Sequence, residues 1–317
     1  MISRTIVRTR IIQTLFAYFK DGDKTPLQAK KELMLSFTDS YSLYMMLLSL
    51  MDELPRYAEQ QMEEASARAR ATHKEYAPNR KFIDNALSRQ VFENRELRKF
   101  IEEYKLQWDA GMPLIADVYK RLMEAEYYKE YMAIGEPCLE DDKRLWRKIY
   151  GELIGNEVFY TALEELEIAL DHANWGTDAD WVISFVIKTI KHFDAELGAN
   201  QPLLPMFENE EEVNFAKELL EVTIEHHKEF EQQIDSHLKN WDASRIAYMD
   251  RIILETALAE IMYFPQIALE VSFNEYIELA KEYSSEKSHI FVNGILDEIL
   301  SELKRENKLI KAINLKD

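Results

Sequence analysis

Between Asn240 and Asp297 apolar residues recur every three to four positions in three successive runs, a spacing that leaves this part of the chain little choice but helices. The first run places Ile252, Ile253, Ala257, Leu258 and Ile261 on one face and stops before Pro265. Ser272 opens the second, where its hydroxyl and the Glu275 carboxylate make the spacing of a capping box. Phe273, Tyr276, Ile277 and Ala280 then face inward. The third carries Phe291, Val292, Ile295, Leu296, Ile299 and Leu300, with Gly294 beside Asn293 in its middle. An interior glycine costs about 1 kcal/mol against alanine, so its use there is the close approach of another backbone.

Helices extend through the rest of the 317 residues. Only 8 Gly and 8 Pro punctuate the chain, and no β-branched runs bounded by turn residues are present, so the expected fold class is all-α. Hydrophobic residues at 47% and charged residues at 31% describe a chain that can bury a core. A single cysteine, Cys138, rules out an internal disulfide and fits a reducing, cytoplasmic setting. Neither a targeting segment nor an apolar run of membrane-spanning length is visible.

The formal charge of −19 has the wrong sign for a general nucleic-acid binder, so any RNA contact has to come from a local basic patch. Residues 1–20 offer one. Arg4, Arg8, Arg10 and Lys20 precede or flank an apolar face of Ile11, Ile12, Leu15, Phe16 and Phe19, and the first acid is Asp21. Arg4 and Arg8 share a helix face. Cations at a helix N-terminus oppose the macrodipole, so stability does not account for them.

Residues 24–36 read as a short helix with Pro26 in its first turn. Further helical patterns follow: Asp39 to about Thr72 with a kink at Pro55, Phe82–Trp108, Leu114–Met132, Leu145–Leu170 and Asp178–Leu197. Breaks fall at Ala77-Pro78-Asn79, Gly111-Met112-Pro113, Gly135-Glu136-Pro137 and the 200–205 segment. From Glu210 a single long helix is expected, carrying Phe215, Leu219, Leu220, Phe230, Ile234 and Leu238 to Asn240-Trp241. Asn174-Trp175 and the run after it echo Asn240-Trp241 and its run. Shared helical patterning and a degenerate duplication both account for such an echo.

No catalytic or metal-binding constellation is present. A di-iron centre needs two Glu-x-x-His pairs, whereas only Glu286–His289 has that spacing, and His226-His227 lacks the acids. With no phosphate loop, dinucleotide fingerprint or nucleophile elbow, and no base beside Cys138, a non-enzyme without a cofactor is expected.

One string is too specific for helical periodicity: Ser288-His289-Ile290-Phe291-Val292-Asn293-Gly294-Ile295-Leu296-Asp297. With Asp250-Arg251, Glu260, Pro265, Asn274-Glu275, Glu278-Leu279-Ala280-Lys281 and the N-terminal Gln13, Leu15 and Phe16, it resembles the transcription antitermination factor NusB family. The resemblance implies a NusB-like core of two packed helical halves formed by 1–36 and 208–317, interrupted by a helical insertion domain at 37–207. It further implies a single-stranded, boxA-like leader RNA as ligand, ribosomal protein NusE as partner, and the RNA polymerase elongation complex as the assembly joined, chiefly in ribosomal RNA operons. On the same grounds RNA would meet Arg4, Arg8, Arg10, Gln13, Lys281, Ser288, His289, Phe291 and Asn293. For Ser288 a capping role, and for Phe291 and Asn293 a buried one, stand beside this. Phe16, Asp250 and Arg251 fall where the family meets its ribosomal partner. The rival readings are an all-helical protein–protein scaffold without RNA binding, and the accessory domain of an RNA methyltransferase whose catalytic part is missing.

Overall fold

The computed structural model describes residues 1–72, 77–238 and 246–309. Among these are fourteen α-helices and no strand, so the chain is all-α. It divides into two compact units. One comprises Met1 and residues 36–206; the other comprises 2–35 and 207 onward. Each is built around one helix that is buried on every side, the behaviour of an apolar helix at the centre of a bundle.

In the discontinuous unit that helix is α12, Tyr248–Tyr263, buried throughout from Ile252 to Ile261. Around it pack α1 (Arg4–Asp21), α10 (Glu210–Glu225), α11 (His227–Ser236), α13 (Leu269–Tyr283) and α14 (Ser288–Arg305). α1 begins at Ser3, whose hydroxyl accepts from the Ile6 amide, and ends at Gly22 with φ 70°, a left-handed turn that favours glycine. α12 stops at Tyr263, two residues before Pro265, as the pattern requires. Phe291, Val292, Ile295, Leu296, Ile299 and Leu300 are all buried along α14.

Two local expectations for this unit fail. The stretch from Glu210 is two helices, because the backbone turns at His226. α13 starts at Leu269, so Ser272 lies inside it, and its hydroxyl donates to Glu260 at 2.6 Å instead of capping. The spacing of a capping box is also that of two residues on one helix face, and a buried acceptor on α12 decided between them.

The other unit is centred on the middle of α2, Pro26–Ala71. Residues 24–36 are therefore no separate short helix; Thr25 and Pro26 begin a 46-residue one, and Pro55 lies inside it. From Ser40 to Met51 every residue is buried and none is charged. Polar atoms of the surrounding elements fasten onto this segment and onto Asp39 just before it. Tyr44 and Thr189 hydroxyls meet at 2.7 Å, the Trp108 indole donates to Ser49 at 2.9 Å, and the Trp175 indole donates to the Asp39 carbonyl at 2.9 Å. The Tyr150 hydroxyl donates to the Leu47 carbonyl.

The surrounding helices are α3 (Ala86–Glu93), α4 (Arg95–Tyr104), α5 (Met112–Glu124), α6 (Glu126–Ala133), α7 (Leu139–Lys148), α8 (Glu157–Ala169) and α9 (Trp175–His192). Gly111 precedes α5 because a Cβ there would lie 2.6 Å from the Trp108 ring. Leu145–Leu170 is not one helix: a π turn over Ile149–Leu153 ends α7, and Asn156 caps α8 by accepting from the Phe159 amide. The Asn240-Trp241 half of the internal echo lies outside the described residues.

Candidate nucleic-acid interface

α1 presents two faces, and the arginines on them have different fates. Arg4 and Arg8, four residues apart, point toward carboxylates. Arg4 places Nε and Nη2 on Glu212 at 2.9 to 3.2 Å and lies over the Phe215 ring. Arg8, 2% exposed, is the centre of a buried network. Its Nε and Nη2 form a bidentate pair with Glu260 on α12, both at 2.8 Å, while Nη1 donates to Glu275 on α13 at 3.2 Å. Glu260 is fully buried and also accepts from Ser272 and from the Tyr276 hydroxyl at 2.9 Å. Thr5 donates to Glu275 at 2.8 Å.

The electrostatics follow from this geometry. Burial alone would drive the Glu260 carboxyl upward, but the Arg8 guanidinium, Ser272 and Tyr276 outweigh it and hold the group below its ordinary value. Burial likewise opposes the charge on Arg8, and Glu260 more than restores it, so the guanidinium is held above its usual range. Removing either partner would strand the other as an uncompensated buried charge. Arg8 is therefore an anchor of the core and has no free edge for a phosphate. This corrects the expectation that it contacts RNA.

Arg10, Gln13, Phe16 and Lys20 form the other stripe. Arg10 is also covered, at 3% exposed, and donates to the Gln13 side chain at 2.9 Å. Gln13 and Phe16 are half-buried and Lys20 is exposed. The Lys20 ammonium sits 5.1 Å from the centre of the Phe16 ring, which meets Tyr248 edge-on at 5.6 Å. Tyr248 is 43% exposed at the start of α12. Lys20 entered the sequence reading only within the N-terminal basic patch, and Tyr248 not at all; α1 periodicity carried the signal for Lys20, while only packing reveals Tyr248.

Two residues into α12, Asp250 turns inward toward the turn between α13 and α14. It is 4% exposed, and burial pushes its carboxyl up despite hydrogen bonds from Ser284 and Ser288. Ser288 Oγ donates to Asp250 at 2.9 Å and accepts from the Ser285 amide at 3.1 Å. Ser288 is thus internal, fixing the start of α14, and not a surface contact. Phe291 is buried as well, in keeping with the packing alternative. Asn293 is half-exposed and its amide reaches Asp297 at 3.4 Å. Lys281 is exposed and pairs with Glu278 at 2.5 Å. Arg251 pairs with Asp235 at 2.8 Å.

His289 is half-buried, and its Nδ1 is covered without a hydrogen-bond partner. A further ring pair was missed in the sequence: Phe19 stacks on His227 at 4.2 Å, and His227 Nδ1 meets the buried Glu255 at 2.7 Å. The His226-His227 doublet was its only sequence signal. Among the described residues no group of three or more His, Cys, Asp or Glu side chains is disposed to hold a metal. No helix there is long and apolar enough to cross a membrane.

These features define the class: a helical bundle whose central helix is tied by a buried Arg–Glu pair to an N-terminal helix with an aromatic and cationic outer stripe. The model of the NusB family matches residues 187–301. The transcription antitermination protein NusB of Salinibacter ruber is 37% identical over 109 residues, covering 34% of this chain and 68% of that protein. That of Bacillus subtilis is 35% identical over 111 residues, covering 35% of this chain and 85% of the relative. The NusB of Myxococcus xanthus is 40% identical over 93 residues, covering 29% and 66%. No solved structure matches the chain. The chain belongs to the NusB family, with additional helices in its N-terminal part consistent with an insertion.

Proposed function

We propose that this chain is a non-enzymatic transcription antitermination factor that binds a single-stranded, boxA-like leader RNA jointly with ribosomal protein NusE. The assembly joins elongating RNA polymerase and promotes transcription of ribosomal RNA operons. The observation that carries this reading, beside the family, is the outer stripe of α1, where exposed Lys20 lies over the half-buried Phe16 ring next to Tyr248. Unpaired bases are recognised by stacking and by their open edges, which such a stripe supplies without a large basic field. In this reading RNA runs past Gln13 and Lys20 toward His289, Lys281 and Asn293. NusE covers Tyr248, Arg251 and the edge of Phe16 that meets Tyr248, leaving the Lys20 side of that ring to RNA, with Asp250 positioning the turn behind them. Arg8 supports the site only indirectly, through Glu260 and Glu275.

Few exposed cations mean modest affinity for RNA alone and a shallow salt dependence, with a slope of about 0.7 per phosphate neutralised on a single strand. The scaffold reading draws on one specific observation: Arg4 and Arg8 are engaged by Glu212, Glu260 and Glu275. Filter-binding titrations of a boxA-like RNA, with and without NusE, separate the two. The antitermination reading expects tighter binding with NusE present and roughly a tenfold loss for Lys20→Ala plus Phe16→Ala, in line with about 1–3 kcal/mol for a lost stacking contact. Absence of binding under both conditions would leave the scaffold.

A further inference from the structure

The most acidic stretch of the described residues lies on α10 and α11. Between Glu210 and Ser236, α10 and α11 carry nine carboxylates against Lys217 and Lys228, a net −7 out of the chain's −19. Part of this charge is used internally: Glu212 holds Arg4 and Glu221 pairs with Lys30. Glu218 and Glu225 on α10 and Glu229 on α11 remain exposed, the last two flanking the bend at His226.

A second feature occupies the same place. At the bend between the two helices His226 stacks on Tyr263, ring centres 4.6 Å apart and planes 29° apart. Its Nδ1 lies 3.1 Å from Glu229 and 3.2 Å from the Tyr263 hydroxyl. Phe230 closes the inner side edge-on to Tyr263. Tyr263 is 40% exposed, and it is the last residue of α12, where the helix dipole presents its negative end. Ring faces, carboxylates and a helix C-terminus all attract the same kind of group, a cation that can lie flat on an aromatic surface.

We propose that the α10–α11 bend is a docking surface for an arginine-rich segment of a protein partner, with a guanidinium stacked on Tyr263 and paired with Glu225 and Glu229. Charge complementarity selects this occupant: a nucleic acid is repelled by the carboxylates, and a guanidinium is attracted by them. The surface uses neither Phe16 nor Lys20, and the proposal does not rest on RNA binding.

The test is fluorescence anisotropy with a fluorescein-labelled (Arg-Ala-Ala)3 peptide and the full chain. The variants are Glu225→Gln plus Glu229→Gln, Tyr263→Ala, and a control, Glu102→Gln plus Glu103→Gln, which removes the same charge from exposed positions on α4. The expected result is at least a fivefold loss of affinity for each of the first two and no change for the control. An equal loss in the control would reduce the effect to bulk attraction by an acidic protein and overturn the proposal. So would a wild-type chain that fails to bind the peptide, or a Tyr263→Ala chain that binds as wild type. Circular dichroism of each variant guards against misfolding, and unchanged boxA-like RNA titration by the Glu225/Glu229 variant keeps the two sites distinguishable.

Discussion

The two central helices solve the same burial problem by opposite means. From Ser40 to Met51, α2 carries no formal charge, and its neighbours tie to it through hydroxyl and indole hydrogen bonds. α12 is as deeply buried, yet it carries Asp250, Glu255 and Glu260 inward and meets them with Ser288, His227 and Arg8. Neutral ties are individually modest and separately replaceable. A buried ion pair contributes little against an apolar substitute, but breaking it from one side is costly. The unit built on α12 is thus expected to tolerate single changes least.

That contrast can be broken most forcefully at Arg8. Arg8→Ala leaves Glu260 charged and fully buried, and chemical denaturation is expected to show a loss of about 3–5 kcal/mol. Arg8→Met combined with Glu260→Met should recover at least half of it, since the stranded charge is gone. If the single and double variants lose equally, the cost comes from packing and the comparison with α2 fails. Its counterpart in the α2 unit is Tyr44→Phe, which removes the tie to Thr189 and the acceptor of the Leu204 amide. The expected loss there is only about 1–2 kcal/mol by the same measurement. Smaller still is Arg4→Gln: the Glu212 pair is partly exposed, and its removal should cost under about 1 kcal/mol.

Acid titration adds a difference of sign. Glu260 is held below its ordinary 4.5, so its stabilisation is complete above that value and disappears as pH falls through the lowered one. Asp142, on α7 and facing the start of α3, is pushed above its ordinary 3.8 by burial, against hydrogen bonds from Tyr131 and the Ala86 and Leu87 amides. Its contribution is complete below 3.8 and declines as pH rises through the raised value. Hydrogen exchange, corrected for intrinsic rates, should therefore show α12 losing protection on acidification before α3 and α7. The reverse order would mean that Arg8 does not hold Glu260 ionised.

The elements that the sequence made legible were those set by period. Ile252 to Ile261 and Phe291 to Leu300 repeat at helical spacing, and they are buried as that spacing demands. The site was less legible, because periodicity says which face a residue shares and not what stands opposite. Arg4 and Arg8 do share a face, but that face meets Glu212, Glu260 and Glu275, each more than 200 positions away in the chain. Ser288, expected beside the RNA path, is drawn inward by Asp250, and Ser272 was misread as a cap for the same reason. A hydroxyl that caps a helix and one that reaches a buried carboxylate have identical local sequences.

Helical content, the apolar stripes and the negative net charge follow from the residues alone, because each depends on composition or on neighbours within a turn. Which arginines lie in the core and which cation stays in solvent was decided only by the packing of α1 against α10, α12 and α13. A buried charge must find its partner in space, and distance along the chain does not constrain where that partner comes from.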